Sequence, residues 1–295
     1  MVLAASKRML ARFLVVTAAV AAASCGSEES EPAFVIGAGD SVESGVLAEI
    51  YAGALARTGL RVTVAAGLGQ RADYLRALDE GRISLVGEHT GDLLGHLDSA
   101  SAARKPEQVT EALSRALPPG LLIADPAEMT DLRPRVVLPA AVAAAENLRT
   151  VAELGPRCPQ WQAADAPVPD LLPDPVAPAV AGCAPAEVRR VPDPAVLRNA
   201  LVAGEIRFGI LNGPPEAAPG STDGLTVLSD EDYALRAENV VPLFRVGLLD
   251  DQRVKKLNYV AGELTTEELV DMVLRARAGA APGGLANAWL DAHAL

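Results

Sequence analysis

The chain has 295 residues, half of them hydrophobic, with 26 Lys and Arg against 38 Asp and Glu, a formal net charge of -12. That balance excludes nucleic acid as a partner, because binding it rests on neutralising phosphates with Lys and Arg. The length accommodates two modest domains, or one large domain with a real core.

The first element in chain order reads as an export leader. Lys7, Arg8 and Arg12 form a positively charged head, Phe13 to Ala22 an apolar run too short to span a bilayer, and Ala22, Ala23 and Ser24 a small-residue cleavage site before Cys25. This order predicts a lipoprotein signal peptide over residues 1–24, lipidation of Cys25 and a flexible polar tether over 25–32. The expected location is the outer face of the cytoplasmic membrane, held by the N-terminal lipid. Without the leader the balance is 23 Lys and Arg against 38 Asp and Glu, a net charge of -15. No later apolar stretch approaches the roughly 20 residues of a spanning helix.

Phe34-Val35-Ile36 ending in Gly37-Ala38-Gly39 predicts a buried strand entering a tight turn. Val46, Ile50 and Ala54, with Leu47, Tyr51 and Leu55 beside them, follow at helical spacing. A strand over 61–65, a helix over 71–80 and a strand over 83–86 continue the alternation, which predicts a mainly parallel sheet covered by helices. The rhythm returns at Asp193-Pro194, a helix start leading to about Ala203, and at the strand 207–210. Thr265 and Glu268 form a capping box that opens an amphipathic helix through Leu269, Val273 and Ala276. Two α/β lobes are expected rather than one long sheet.

Between the two regions, Cys158 and Cys183 flank the Pro-rich segment Pro167 to Pro178, which suits neither a helix nor a central strand. In an exported protein these two cysteines are expected to form a disulfide, contributing roughly 3.5 kcal/mol by restricting the unfolded chain. No cofactor and no metal is expected, since two cysteines and three scattered histidines lack zinc-site spacing.

Gly39-Asp40-Ser41 after a strand looks at first like the nucleophile turn of the GDSL esterases, with Asn212, Asp291 and His293 as the remaining machinery. The fit is poor. One residue separates Asp291 from His293 where that family has two, and Asn212 is followed by Gly213 rather than Asp.

A longer pattern runs through the chain. Val35-Ile36-Gly37-Ala38-Gly39-Asp40-Ser41-Val42-Glu43-Ser44, then Val46-Leu47-Ala48-Glu49-Ile50-Tyr51, then Ala77-Leu78 to Gly81-Arg82-Ile83, then Gly87-Glu88-His89-Thr90-Gly91 resemble the opening of the osmoprotectant-type substrate-binding proteins of ABC importers. There the stretches read G-S-K-N-F-T-E-Q, I-L-G-E-M, A-L-x-x-G-x-I-D and P-E-Y-T-G. The resemblance resumes at Asn147 to Leu154 and at Asn239 to Arg245, and ends with Leu257 to Leu269. It implies a type II periplasmic-binding-protein fold: two α/β lobes joined by two crossover strands, with the ligand cleft between them. Lobe 1 would comprise 33–133 plus 241–295, and lobe 2 would comprise 134–240. The implied function is capture of a small solute and its delivery to an ABC permease by a monomeric, non-enzymatic receptor. A non-transporting sensor or accessory lipoprotein of the same fold, and the GDSL-like esterase, are the alternatives.

The departures concern the ligand. Members of that family hold a quaternary ammonium group in a box of tyrosines, whose ring faces attract the cation. Here the Tyr of P-E-Y-T-G is His89, the other box positions fall near Pro134, Leu211 or Asn212, and Asn239, and aromatics are 3% of the chain. The expected cleft set is Asp40, Ser41, Glu43, Gln70, Glu88, His89, Thr90, Asp92, Asn212 and Asn239, with Glu43 equally readable as an acid complementing a helix N-terminus. Such a lining suits an uncharged, hydroxylated solute better than betaine or choline.

Overall fold

The computed structural model describes residues 34–171 and 179–295; the leader, Cys25, the tether and residues 172–178 lie outside them. The chain alternates as the apolar periodicity predicts. Strand β1 (Phe34–Gly37) leads to helix α1 (Val42–Ala56), β2 (Val62–Ala65), α2 (Arg71–Asp79), β3 (Leu85–His89), α3 (Thr90–Leu97), α4 (Pro106–Ala116) and β4 (Leu121–Ile123). Then follow β5 (Arg135–Pro139), α5 (Ala140–Glu146), α6 (Val151–Leu154), β6 (Gln162–Pro167), β7 (Glu187–Arg190), α7 (Pro194–Val202), β8 (Phe208–Asn212) and β9 (Leu225–Val227). The chain closes with β10 (Val240–Arg245), α8 (Asp251–Glu263), α9 (Thr266–Arg277) and α10 (Pro282–Ala292).

These strands form two five-stranded sheets, β2-β1-β3-β10-β4 and β7-β6-β8-β5-β9. With helices covering both, this is the two-lobed α/β arrangement that the resemblance implies. The first sheet is mainly parallel, as the alternation predicts, with one strand reversed. Strands β1, β2 and β3 are parallel, but β10 runs antiparallel to both β3 and β4. The reason is topological: β10 arrives from the second sheet and enters the first from the opposite end, Val240 facing His89 and Phe244 facing Leu85.

Helix α1 shows how local signals and packing agree. The Ser41 side chain accepts from the Ser44 amide and caps the helix, while Val46, Leu47, Ile50, Ala54 and Leu55 are fully buried. Burying each of the larger side chains contributes roughly 1.5–3 kcal/mol relative to exposure. Their partners include Leu257, Leu269, Val273 and Leu290 of α8, α9 and α10 in one continuous core. The capping box at Thr265 is present, with Glu268 accepting from the Thr265 backbone and donating its own amide to the Thr265 hydroxyl. In the second sheet's half, Cys158 and Cys183 form a disulfide with Cα atoms 5.3 Å apart, beside Leu154, Trp161 and Val180.

Candidate functional site

The carboxyl ends of β3, β6 and β8 converge between the two sheets, the position at which open α/β sheets place ligands. From the first sheet come His89, the last residue of β3, and Asp92 in the first turn of α3. From the segments linking the sheets come Leu132, Pro134 and Glu238, and from the second sheet's loops come Leu171 and Asn212. Together these seven line a cavity of about 20 Å³, room for one water-sized occupant. None of the described lining residues is Phe, Tyr or Trp.

Behind the cavity lies a buried ionic network. His89 Nε2 is 2.8 Å from Glu43 Oε1, and both side chains are at most 5% exposed. Burial alone would lower the His89 pKa, but the charge and hydrogen bond of Glu43 outweigh it and hold the imidazole above its ordinary value. Glu88, fully buried, accepts from Arg71 Nε at 3.0 Å and Nη2 at 3.1 Å, from the Tyr74 hydroxyl at 2.7 Å and from the His89 amide at 3.2 Å. Burial, and then the Glu88 charge, push the Tyr74 pKa upward.

A second pair of acids sits at the start of α3. Glu238 Oε2 accepts from the amides of Gly91 and Asp92 at 2.9 Å each, capping that helix across about 146 residues of sequence. Burial, and then the neighbouring Asp92 charge, raise the Glu238 carboxyl well above its usual range. Asp92 is raised as well, by burial first, with Arg71 and His89 opposing. Gly91 is required by close approach: a Cβ there would fall on Ala237 O and Glu238 Oε1, well inside contact distance.

Of the residues singled out in the sequence, His89, Asp92 and Asn212 line the cavity. Glu43 stands one hydrogen bond behind His89, and Glu88 is buried beneath it. Thr90 and Asn239 serve the linking strand: the Asn239 amide donates to the Thr90 hydroxyl, and Asn239 Nδ2 donates to Thr130 O. Asp40, Ser41 and Gln70 lie on the loops after β1 and before α2, outside the cavity lining, with Asp40 accepting from the Gly69 amide and Gln70 Nε2. Sequence reasoning missed Glu238, Arg71 and Leu171. Glu238 neighbours the recognised Asn239 stretch, and Arg71 opens a helix already identified; Leu171 carries no signal of its own.

The esterase constellation does not assemble. Ser41 Oγ caps α1, Asp291 pairs with Arg57, and both ring nitrogens of His293 are engaged, Nδ1 with Trp289 O and Nε2 with Glu268. The Asn212 amide is turned to Asp165. Among the described residues no helix is long and apolar enough to cross a membrane.

The family described as the substrate-binding domain of ABC-type glycine betaine transport systems matches residues 33–292. Among solved structures the chain is similar to a glycine betaine/carnitine/choline ABC transporter protein, at 16% identity and TM-score 0.63 over 88% of this chain and 98% of that one. It is similar to apo YehZ from Escherichia coli, at 19% identity and TM-score 0.61 over 89% and 99%. The glycine betaine/L-proline-binding protein of Borrelia burgdorferi gives 14% identity and TM-score 0.51 over 88% and 93%. At such identities the structural likeness establishes the fold alone. No curated protein sequence matches the chain.

Proposed function

The chain belongs to the family of substrate-binding domains of ABC-type glycine betaine transport systems, and on that premise we propose that it is an extracytoplasmic receptor delivering a small osmoprotectant-like or polar hydroxylated solute to an ABC permease. The observation that carries the reading is the convergence of residues from both sheets and from both linking segments on one cavity. A solute larger than water enters by rotation of the lobes about the segments around Leu132–Arg135 and Glu238–Val240. Lobe 1 is taken as 33–133 plus 241–295 and lobe 2 as 134–240, a division supported by the membership of the two sheets. Lipidation at Cys25 would keep the receptor at high effective concentration beside its permease.

The ligand class follows from the lining. Each cation-to-ring contact in a desolvated site contributes on the order of 1–2 kcal/mol, so a cavity whose described lining residues include His89, Asp92 and Asn212 but no Phe, Tyr or Trp forfeits the aromatic route to a quaternary ammonium. Carboxylates and an imidazole instead orient hydroxyl donors. A thermal-shift screen over betaines, polyols and sugars tests this, since a ligand present at 100 times its Kd stabilises the folded state by about 2.7 kcal/mol. The expected outcome is stabilisation by a hydroxylated solute and none by glycine betaine or choline below about millimolar. Micromolar betaine affinity abolished by His89→Ala would refute it.

A further inference from the structure

Residues far apart in sequence meet in the cleft as a metal-ligating set. His89, Asp92 and Glu238 each offer one ligand atom, and these atoms lie within 4.8 Å of one another. His89 is 4% exposed and lines the cavity. Its Nε2 is 2.8 Å from Glu43 Oε1, and among the described residues no hydrogen bond engages Nδ1. A buried carboxylate on the far ring nitrogen is the arrangement that fixes the tautomer and raises the basicity of metal-bound histidines. Glu43 is that carboxylate, itself fully buried.

One further observation points to a cation. Asn212 Oδ1, buried and without a hydrogen-bond partner among the described residues, belongs to a residue lining the same cavity.

We propose that His89, Asp92 and Glu238 bind a divalent transition-metal ion of the zinc type in the cleft between the lobes, with Asn212 Oδ1 or a solute oxygen completing its coordination. Imidazole with carboxylates suits zinc and its neighbours better than calcium or magnesium. Ligand distances of about 2.0–2.2 Å draw the three atoms inward from their present spacing, and three protein ligands leave a fourth position open. Because the ion would sit where both sheets and their linking segments converge, its binding holds the residues of the two lobes together. It also gives an acidic cleft a positive centre for the oxygens of a hydroxylated solute, which deepens the reading above without depending on it.

The experiment is titration of the chelator-treated protein with Zn²⁺ alone by calorimetry, and with Co²⁺ by visible absorption. One equivalent is expected to bind, with the cobalt band diagnostic of a nitrogen and oxygen ligand set. Asp92→Asn and Glu238→Gln, which preserve shape, and His89→Ala should each weaken affinity at least tenfold, and Glu43→Gln by about 10–100-fold through His89. His96→Ala and His293→Ala, the other two histidines, should change nothing. Binding no tighter than about millimolar, or tight binding insensitive to His89→Ala in protein shown folded by circular dichroism, overturns the assignment. Either result leaves the solute screen to be judged separately, since no solute enters this titration.

Discussion

Replacing Arg71 with Leu tests what holds the base of the cleft. Glu88 is fully buried and accepts four hydrogen bonds, two of them from Arg71 and the others from the Tyr74 hydroxyl and the His89 amide. Burial alone would depress the Arg71 pKa, but the charge and hydrogen bonds of Glu88 reverse this and hold the guanidinium above its ordinary value. Removing it strands a carboxylate 0% exposed, a loss that costs about 3–5 kcal/mol in buried pairs. Leu retains most of the apolar stem, so the charge dominates the effect. Of a total stability of about 5–15 kcal/mol this is a large share, yet the variant stays folded. Urea denaturation followed by circular dichroism should show a lower midpoint at unchanged slope. Adding Glu88→Met removes the stranded charge, so the double variant should be more stable than Arg71→Leu alone. A single variant within about 0.5 kcal/mol of wild type, or strictly additive losses in the double, would refute the reasoning.

Gly91→Ala should destabilise by about 1–3 kcal/mol, because its Cβ has to displace Ala237 O and the Glu238 carboxylate from the first turn of α3; a urea midpoint equal to wild type counts against that packing. Asp131 accepts from Arg133 Nε at 2.8 Å and lies 3.1 Å from Arg135 Nη2 in a linking segment. Burial alone would raise its pKa, but the two arginines, Arg133 through a hydrogen bond above all, bring it below the ordinary carboxylate value. A depressed folded-state pKa gives stability that is present above the unfolded value, about pH 4, and lost as pH falls through the folded value. The Asp131 side chain is 43% exposed, so solvent screening limits the contribution to about 1 kcal/mol. Asp131→Asn should lower stability by that amount at pH 7, with the gap to wild type closing as pH falls below about 4; a gap that persists at pH 3 contradicts the linkage.

What the sequence disclosed and what it concealed divide along physical lines. Strand, helix and cap signals are local, and they placed α2, α7 and α9 within a residue or two, Asp193 and Thr265 supplying the amide acceptors that helix starts lack, whereas Ser41, read from the sequence as a site residue, caps α1. The antiparallel entry of β10 is not local. No periodicity in Val240–Arg245 records that its partner strands run the other way. The same holds at the site. His89 was visible because it sits in the short motif Gly87 to Gly91 at the end of β3, and Asp92 because it follows that motif directly. Glu238, 146 residues beyond Asp92, enters only through the return of the chain between the sheets. Its carboxylate then does two jobs that a sequence cannot juxtapose: it caps α3 through the Gly91 and Asp92 amides, and it stands against Asp92 in a buried acid pair whose like charges oppose each other. A helix cap needs one oxygen. The Glu238 side chain also lines the cavity with Asp92, which makes it part of the cleft as well as part of the scaffold.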